Sequence, residues 1–144
     1  MNNLSRIISS IITNQKTGSN KIEFTFQQIN NFKKNKTADS AFIIKFLQIL
    51  ENEGFIRGFF VSNNNFASKV TITIYLKYDF KGNPVIRNIK QISLNSLPKY
   101  VSVNSLWQPQ TSKGIYIIST PCGLLTEIEA RQKNLGGKVL WSIN

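Results

Sequence analysis

Leu4, Ile7, Ile8, Ile11 and Ile12 recur at the three- and four-residue spacing of one helix face, which predicts an amphipathic helix over residues 3–13. Asn14 to Asn20, with Gly18, reads as a turn. Ile22, Phe24 and Phe26 then alternate with Glu23 and Thr25, the period-two pattern of a strand with one buried face. Residues 27–38 lose all periodicity and carry Lys33, Lys34 and Lys36, so they read as a basic loop, either solvated or set against phosphates. Phe42, Ile43, Phe46, Leu47, Ile49 and Leu50 form the wide apolar stripe of a second helix, with Asp39 or Ser40 as its cap and Gly54 as its stop. Phe55 to Val61 is a strand, and Asn63 to Asn65 a turn. Val70, Ile72, Ile74, Leu76 and Tyr78 alternate with Thr71, Thr73, Tyr75 and Lys77, the clearest strand in the chain. Asp79 to Pro84 turns the chain, and Val85 to Ile92 is expected to pair with the strand before it.

These elements predict an α+β protein of two small α/β domains. Residues 1–80 give helix–strand–helix–strand–strand, two helices covering a three-stranded sheet. Residues 81–144 are β-rich, mostly antiparallel, with one short helix, and the boundary falls between 79 and 92. Within 93–113, rich in polar residues and carrying Pro98 and Pro109, Tyr100–Val103 reads as a short strand.

Charge and composition narrow the function. The chain has 144 residues, 18 basic and 7 acidic, a net charge of +11. The excess is +4 over residues 1–66 and +7 over 67–144, so it is spread through the chain rather than held in a tail. A domain this basic meets a polyanion, with nucleic acid the leading candidate. There is no histidine, and Cys122 is the single cysteine, which excludes a disulfide framework and argues against a zinc site or any other metal or cofactor. The usual general base at neutral pH is missing too. Cys122, beside a glycine turn, is the one candidate nucleophile, and no motif supports a catalytic role, so an enzyme is not expected. No apolar run is long enough to span a membrane. The N-terminal segment carries one arginine and several serines, and its low basic content favours a structural helix over a transit peptide. Lysine outnumbers arginine 14 to 4, and Asn, Ile and Phe are abundant; these residues have AT-rich codons, as in the genome of an organelle or a reduced bacterium.

The chemistry concentrates after residue 114. Ile115, Ile117 and Ile118 make a buried strand that Ser119 and Thr120 are expected to leave, presenting hydroxyls that suit phosphate, a ribose 2′-OH or a base edge. Pro121 suits a place where pairing has ended, and Gly123 permits a tight turn or close backbone approach. Thr126 and Glu129 have the spacing of a capping box that opens a helix from 127 to about 134. Its free N–H groups are expected beside the Ser-Thr turn, where they would hold an anion. Gly136-Gly137 is expected to end that helix before a last strand, Lys138–Ile143.

Ser119, Thr120, Gly123, Thr126, Ala130, Arg131, Gly136 and Gly137 together resemble the C-terminal signature of the ribosomal small-subunit protein S-eight family. That signature is a strand, a Ser-Thr-Ser-x-Gly loop, a helix with Ala-Arg, and Gly-Gly-Glu before the last strand. Leu50 to Ile56 and Leu76-Lys77-Tyr78 are similar to two further segments of the family. In this chain Pro121 stands in place of the second serine, Cys122 at an often basic position and Lys138 in place of glutamate; Leu94-Asn95-Ser96 replaces a basic-Pro-Gly element.

The resemblance implies a structural constituent of the small ribosomal subunit that binds the central domain of small-subunit rRNA, supports assembly and translation, and has neighbouring ribosomal proteins as partners. No membrane or small-molecule substrate enters this reading. It implies that residues 81–144 are the RNA-binding domain, with Ser119, Thr120 and the Gly123 backbone at the contact and Lys113, Arg131, Lys133 and Lys138 contributing charge. Arg131 can instead pair with Glu127, one helical turn away. With the codon bias, the resemblance places the protein on a mitochondrial ribosome, with a plastid or the bacterial cytoplasm as alternatives. The competing function is a stand-alone RNA-binding module that stacks bases on Tyr75, Tyr78 or Trp107.

Overall fold

A computed structural model describes residues 2–27, 37–64, 69–94, 96–107 and 114–144. The chain divides into two compact units, Met1–Ile86 and Arg87–Asn144.

In the first unit, helix α1 spans Asn2–Thr17 and buries Leu4, Ile7, Ile8 and Ile11. It outlasts the predicted end at residue 13 because Gln15 continues the buried stripe and the Thr13 and Asn14 side chains donate to the Ser9 and Ser10 carbonyls. Strand β1 (Lys21–Gln27) follows, then helix α2 (Thr37–Asn52), which already includes both expected caps, Asp39 and Ser40. Helix α2 buries Ile43, Phe46, Leu47, Ile49 and Leu50. It stops where expected: Gly54 takes a φ of +78°, Phe55 N–H donates to the Leu50 carbonyl and Gly54 N–H to that of Glu51, the paired bonds of a left-handed helix end. Strands β2 (Ile56–Asn64) and β3 (Lys69–Leu76) complete an antiparallel sheet of order β1-β3-β2. Ile22, Ile72 and Ile74 line its buried face, with α1 packed beside β1 and α2 beside β2.

Val85 to Ile92 does not pair with β3. As the central strand, β3 already has β1 on one edge and β2 on the other, so no edge remains. The chain folds back only as far as a Tyr78–Pro84 bridge and a bond from Val85 N–H to the Lys77 carbonyl. Residues Ile89–Gln91 form β4, which pairs with the last strand of the second unit.

That unit contains β5 (Tyr100–Val101), α3 (Val103–Leu106), β6 (Ile115–Thr120), β7 (Gly123–Thr126), α4 (Glu127–Gln132) and β8 (Gly137–Ile143). The sheet runs β4-β8-β6-β7, and β5 also pairs with β8. Between β4 and β5, buried Ser93 closes the loop by accepting from Lys99 N–H at 2.9 Å. Helix α3 is an addition to the single short helix expected; at four residues it is too short for any apolar period, and Ser102 caps it by accepting from Ser105 N–H. Leu106, Ile118, Leu125, Ala130 and Val139 make the core between α3, α4 and the sheet.

The capping box of α4 forms as expected, with Glu129 N–H donating to Thr126 Oγ1 and Thr126 N–H to Glu129 Oε2. Thr126 is buried, so Thr126→Ala should destabilise this unit by about 1–2 kcal/mol. A urea titration followed by tryptophan fluorescence measures it, since both tryptophans, Trp107 and Trp141, lie in this unit. Asn134, not Gly136, ends α4: it takes a φ of +53° while Leu135 N–H donates to the Ala130 carbonyl. The Gly-Gly pair serves the sheet instead, as a Cβ on Gly136 would lie 2.6 Å from the Val101 carbonyl oxygen and one on Gly137 would run into that of Ser119.

Candidate nucleic-acid interface

Ser119 and Thr120 do not leave the strand. Both belong to β6 and pair across a hairpin with β7, Ser119 opposite Leu124 and Thr120 opposite Gly123. Pro121 and Cys122 form the tip, and the residue after them, Gly123, takes a φ of +103°, as the last position of a short hairpin loop requires. A Cβ on Gly123 would meet nothing within 4 Å, so conformation rather than crowding calls for glycine.

The two hydroxyls have different surroundings. Thr120 is buried, donates to the Gly123 carbonyl at 2.8 Å and accepts from Cys122 N–H at 3.3 Å, so its hydroxyl holds the turn. Ser119 is half-buried and points to the opposite face. There the register places it directly across from Lys138 on β8, which in turn faces Tyr100 on β5. Directly opposed residues on neighbouring strands share a face and approach within about 5 Å at Cβ. Ser119, Lys138 and Tyr100 therefore form a row of hydroxyl, ammonium and exposed phenol, which continues on β7 with the buried Leu124 opposite Ser119. Strand β7 is an edge strand whose outer amides have no strand partner among the described residues.

The expected anion site at the start of α4 does not form beside the turn. Strand β7 intervenes, so Thr126 pairs with Ile117 at the far end of the hairpin. The first turn of α4 also carries Glu127 and Glu129, whose charge opposes an anion, and the capping box already uses the Glu129 amide.

The remaining sequence candidates scatter. Arg131 and Lys133 stand at the end of α4, which packs on the sheet face opposite Ser119. The Arg131 guanidinium lies 5.4 Å from the ring centroid of Trp107, itself largely exposed. Lys113 lies outside the described residues, as does the stretch 28–36 with Lys33, Lys34 and Lys36. Among the proposed stacking residues, Tyr78 is half-buried and donates to the Ser19 carbonyl at 2.6 Å, and burial raises its phenol above the ordinary tyrosine value. Sequence reading missed Tyr100 as a member of the row. Its signal was the adjacent Lys99-Tyr100 pair, an aromatic beside a cation, but the register against Lys138 is invisible without the sheet.

Residues 9–144 match the family model described as Ribosomal protein S8. Relatives carrying the name small ribosomal subunit protein uS8 are found in Pelagibacter ubique, 36% identical over 81% of this chain and 86% of the relative. The Nitrobacter hamburgensis relative is 38% identical over the same shares. That from Lactobacillus helveticus is 43% identical over 65% of this chain and 69% of the relative.

Proposed function

The chain belongs to the ribosomal protein S8 family, and from that premise we propose that it is built into the small ribosomal subunit by binding small-subunit rRNA along the Ser119–Lys138–Tyr100 row. As a ribosomal protein of this family it is a structural component and not an enzyme. Its RNA target is the central domain, where it supports assembly of the subunit and contacts neighbouring ribosomal proteins.

The row beside a rigid hairpin tip is the observation that supports this reading. Lys138 answers phosphate charge, the Ser119 hydroxyl and the β7 edge amides match ribose and phosphate oxygens, and Tyr100 offers a ring and a phenol. In this reading Thr120 and Gly123 shape the tip, while Arg131, Lys133 and Lys113 add charge around it. Thr120 acts by holding the turn more than by touching RNA, because its hydroxyl already serves two partners.

Ser119→Ala with Lys138→Gln should weaken binding to a folded central-domain rRNA fragment at least tenfold and leave circular dichroism unchanged. Removing the lysine should lower the slope of log affinity against log salt by about one. Unchanged affinity would remove the row from the interface. The abundance of Asn, Ile, Lys and Phe supports a mitochondrial ribosome as its location. The relatives are bacterial, and fractionation of ribosomes from each compartment decides between them.

A further inference from the structure

The three-stranded sheet of the first unit buries one face under the helices and leaves the other open. On the open face the register places Lys21, Glu23 and Thr25 of β1, Lys69, Thr71, Thr73 and Tyr75 of β3, and Phe60 and Ser62 of β2. Phe60 is 62% exposed and Tyr75 43%. Phe60 faces Thr73, two residues before Tyr75, so the rings occupy diagonal positions on adjacent strands, about 7–8 Å apart. No aliphatic side chain accompanies them among the described residues of this face; Thr73 lies opposite Phe60 and Lys21 opposite Tyr75.

We propose that this face is a second RNA contact, in which Phe60 and Tyr75 stack two bases of an unpaired rRNA stretch. This rests on the rRNA-binding reading but on a different unit and different residues. A pleated surface carrying two diagonal rings among Ser and Thr hydroxyls suits splayed bases, which present π faces to the rings and polar edges to the hydroxyls. Charge favours the same partner. Among the described residues the one carboxylate of the face, Glu23, is neutralised by Lys21 at 3.2 Å, leaving Lys69 in excess, and Met1–Ile86 as a whole holds 11 basic and 5 acidic residues. A protein partner would need an apolar centre, and two rings separated by Thr73 do not make one.

The test uses the full chain and a single-stranded oligoribonucleotide containing 4-thiouridine. Photocrosslinks should map to the peptides carrying Phe60 and Tyr75. Phe60→Ala and Tyr75→Ala should each weaken binding roughly tenfold, while Tyr75→Phe, which keeps the ring, should not. The two sites separate by ligand: Phe60→Ala with Tyr75→Ala should weaken binding of the oligonucleotide far more than that of the folded fragment, and Ser119→Ala with Lys138→Gln that of the folded fragment far more than that of the oligonucleotide. Unchanged affinity in the double alanine variant would overturn the second contact and leave the hairpin site standing. Impaired subunit incorporation with unchanged oligonucleotide affinity would also overturn it, by assigning the face to a neighbouring protein.

Discussion

Gly137→Ala should unfold the Arg87–Asn144 unit under conditions where the wild type is fully native. The added methyl would run into the Ser119 carbonyl oxygen and would lie 2.9 Å from the Ser119 carbonyl carbon and 3.1 Å from Ile118 Cγ2. Two of these three atoms are backbone of the neighbouring strand, so no side-chain rotation relieves the overlap. Strands β6 and β8 would have to separate where Ser119 pairs with Lys138 and Ile118 with Val139. That opens the core formed by Ile118 and Val139 with Leu106, Leu125 and Ala130. A cost on the order of 4 kcal/mol or more follows, at the extreme of single substitutions and comparable with the whole stability of a small domain. Urea unfolding followed by tryptophan fluorescence reads it directly, because Trp107 and Trp141 both belong to this unit. An unshifted midpoint would mean that the strands do not lie this close.

Phe46→Ala should have a comparable effect in the first unit. Phe46 is fully buried and is among the largest such side chains in the protein. Its stripe on α2 also buries Ile43, Leu47, Ile49 and Leu50. Truncating a buried phenylalanine loses its transfer free energy and leaves a cavity that close-packed neighbours fill only in part, a cost of about 3–5 kcal/mol. The loss should appear as a lower urea midpoint by far-ultraviolet circular dichroism, with Phe46→Leu keeping most of the stability. If alanine is tolerated within about 1 kcal/mol, α2 does not pack as described.

The elements legible in the sequence were those whose signal is local. The α1 and α2 stripes, the alternation of β3, the Gly54 stop and the Thr126–Glu129 box each need only a few neighbouring residues to be read, and each formed. Partner choice is a long-range property, and there the reading failed. Val85–Ile92 alternates well enough to suggest a hairpin with β3, yet nothing local reveals that β3 will be central and both its edges filled. Strand β7 was missed because Leu124 and Leu125 are consecutive apolar residues without alternation. Both are buried, one on each face of the sheet, so the pattern that identifies a half-exposed strand never appears. Missing β7 also misplaced the start of α4 beside the Ser-Thr turn, and the expected anion site followed from that error.

The candidate interface was partly legible for the same reason. Ser119, Gly123 and Lys138 could be singled out by residue type, but their sequence separation concealed that β6 and β8 set Ser119 against Lys138. Tyr100 joins them only through β5. The assignment of Asn134 over Gly136 as the helix stop has a similar origin. Glycine is the commoner residue at positive φ, but here both glycines are required by neighbouring backbone, which local propensity does not register.

Thr120 and Gly123 fix the hairpin's backbone by a hydroxyl turned inward and a torsion only glycine adopts easily, while the exposed side chains of Pro121 and Cys122 take no part in that scaffold. Shape and display are thus carried by different residues four positions long. The tip can change its chemical identity without refolding, and an engineered replacement of residues 121 and 122 should leave the unit's stability unchanged, as interchangeable lettering on an unchanged frame.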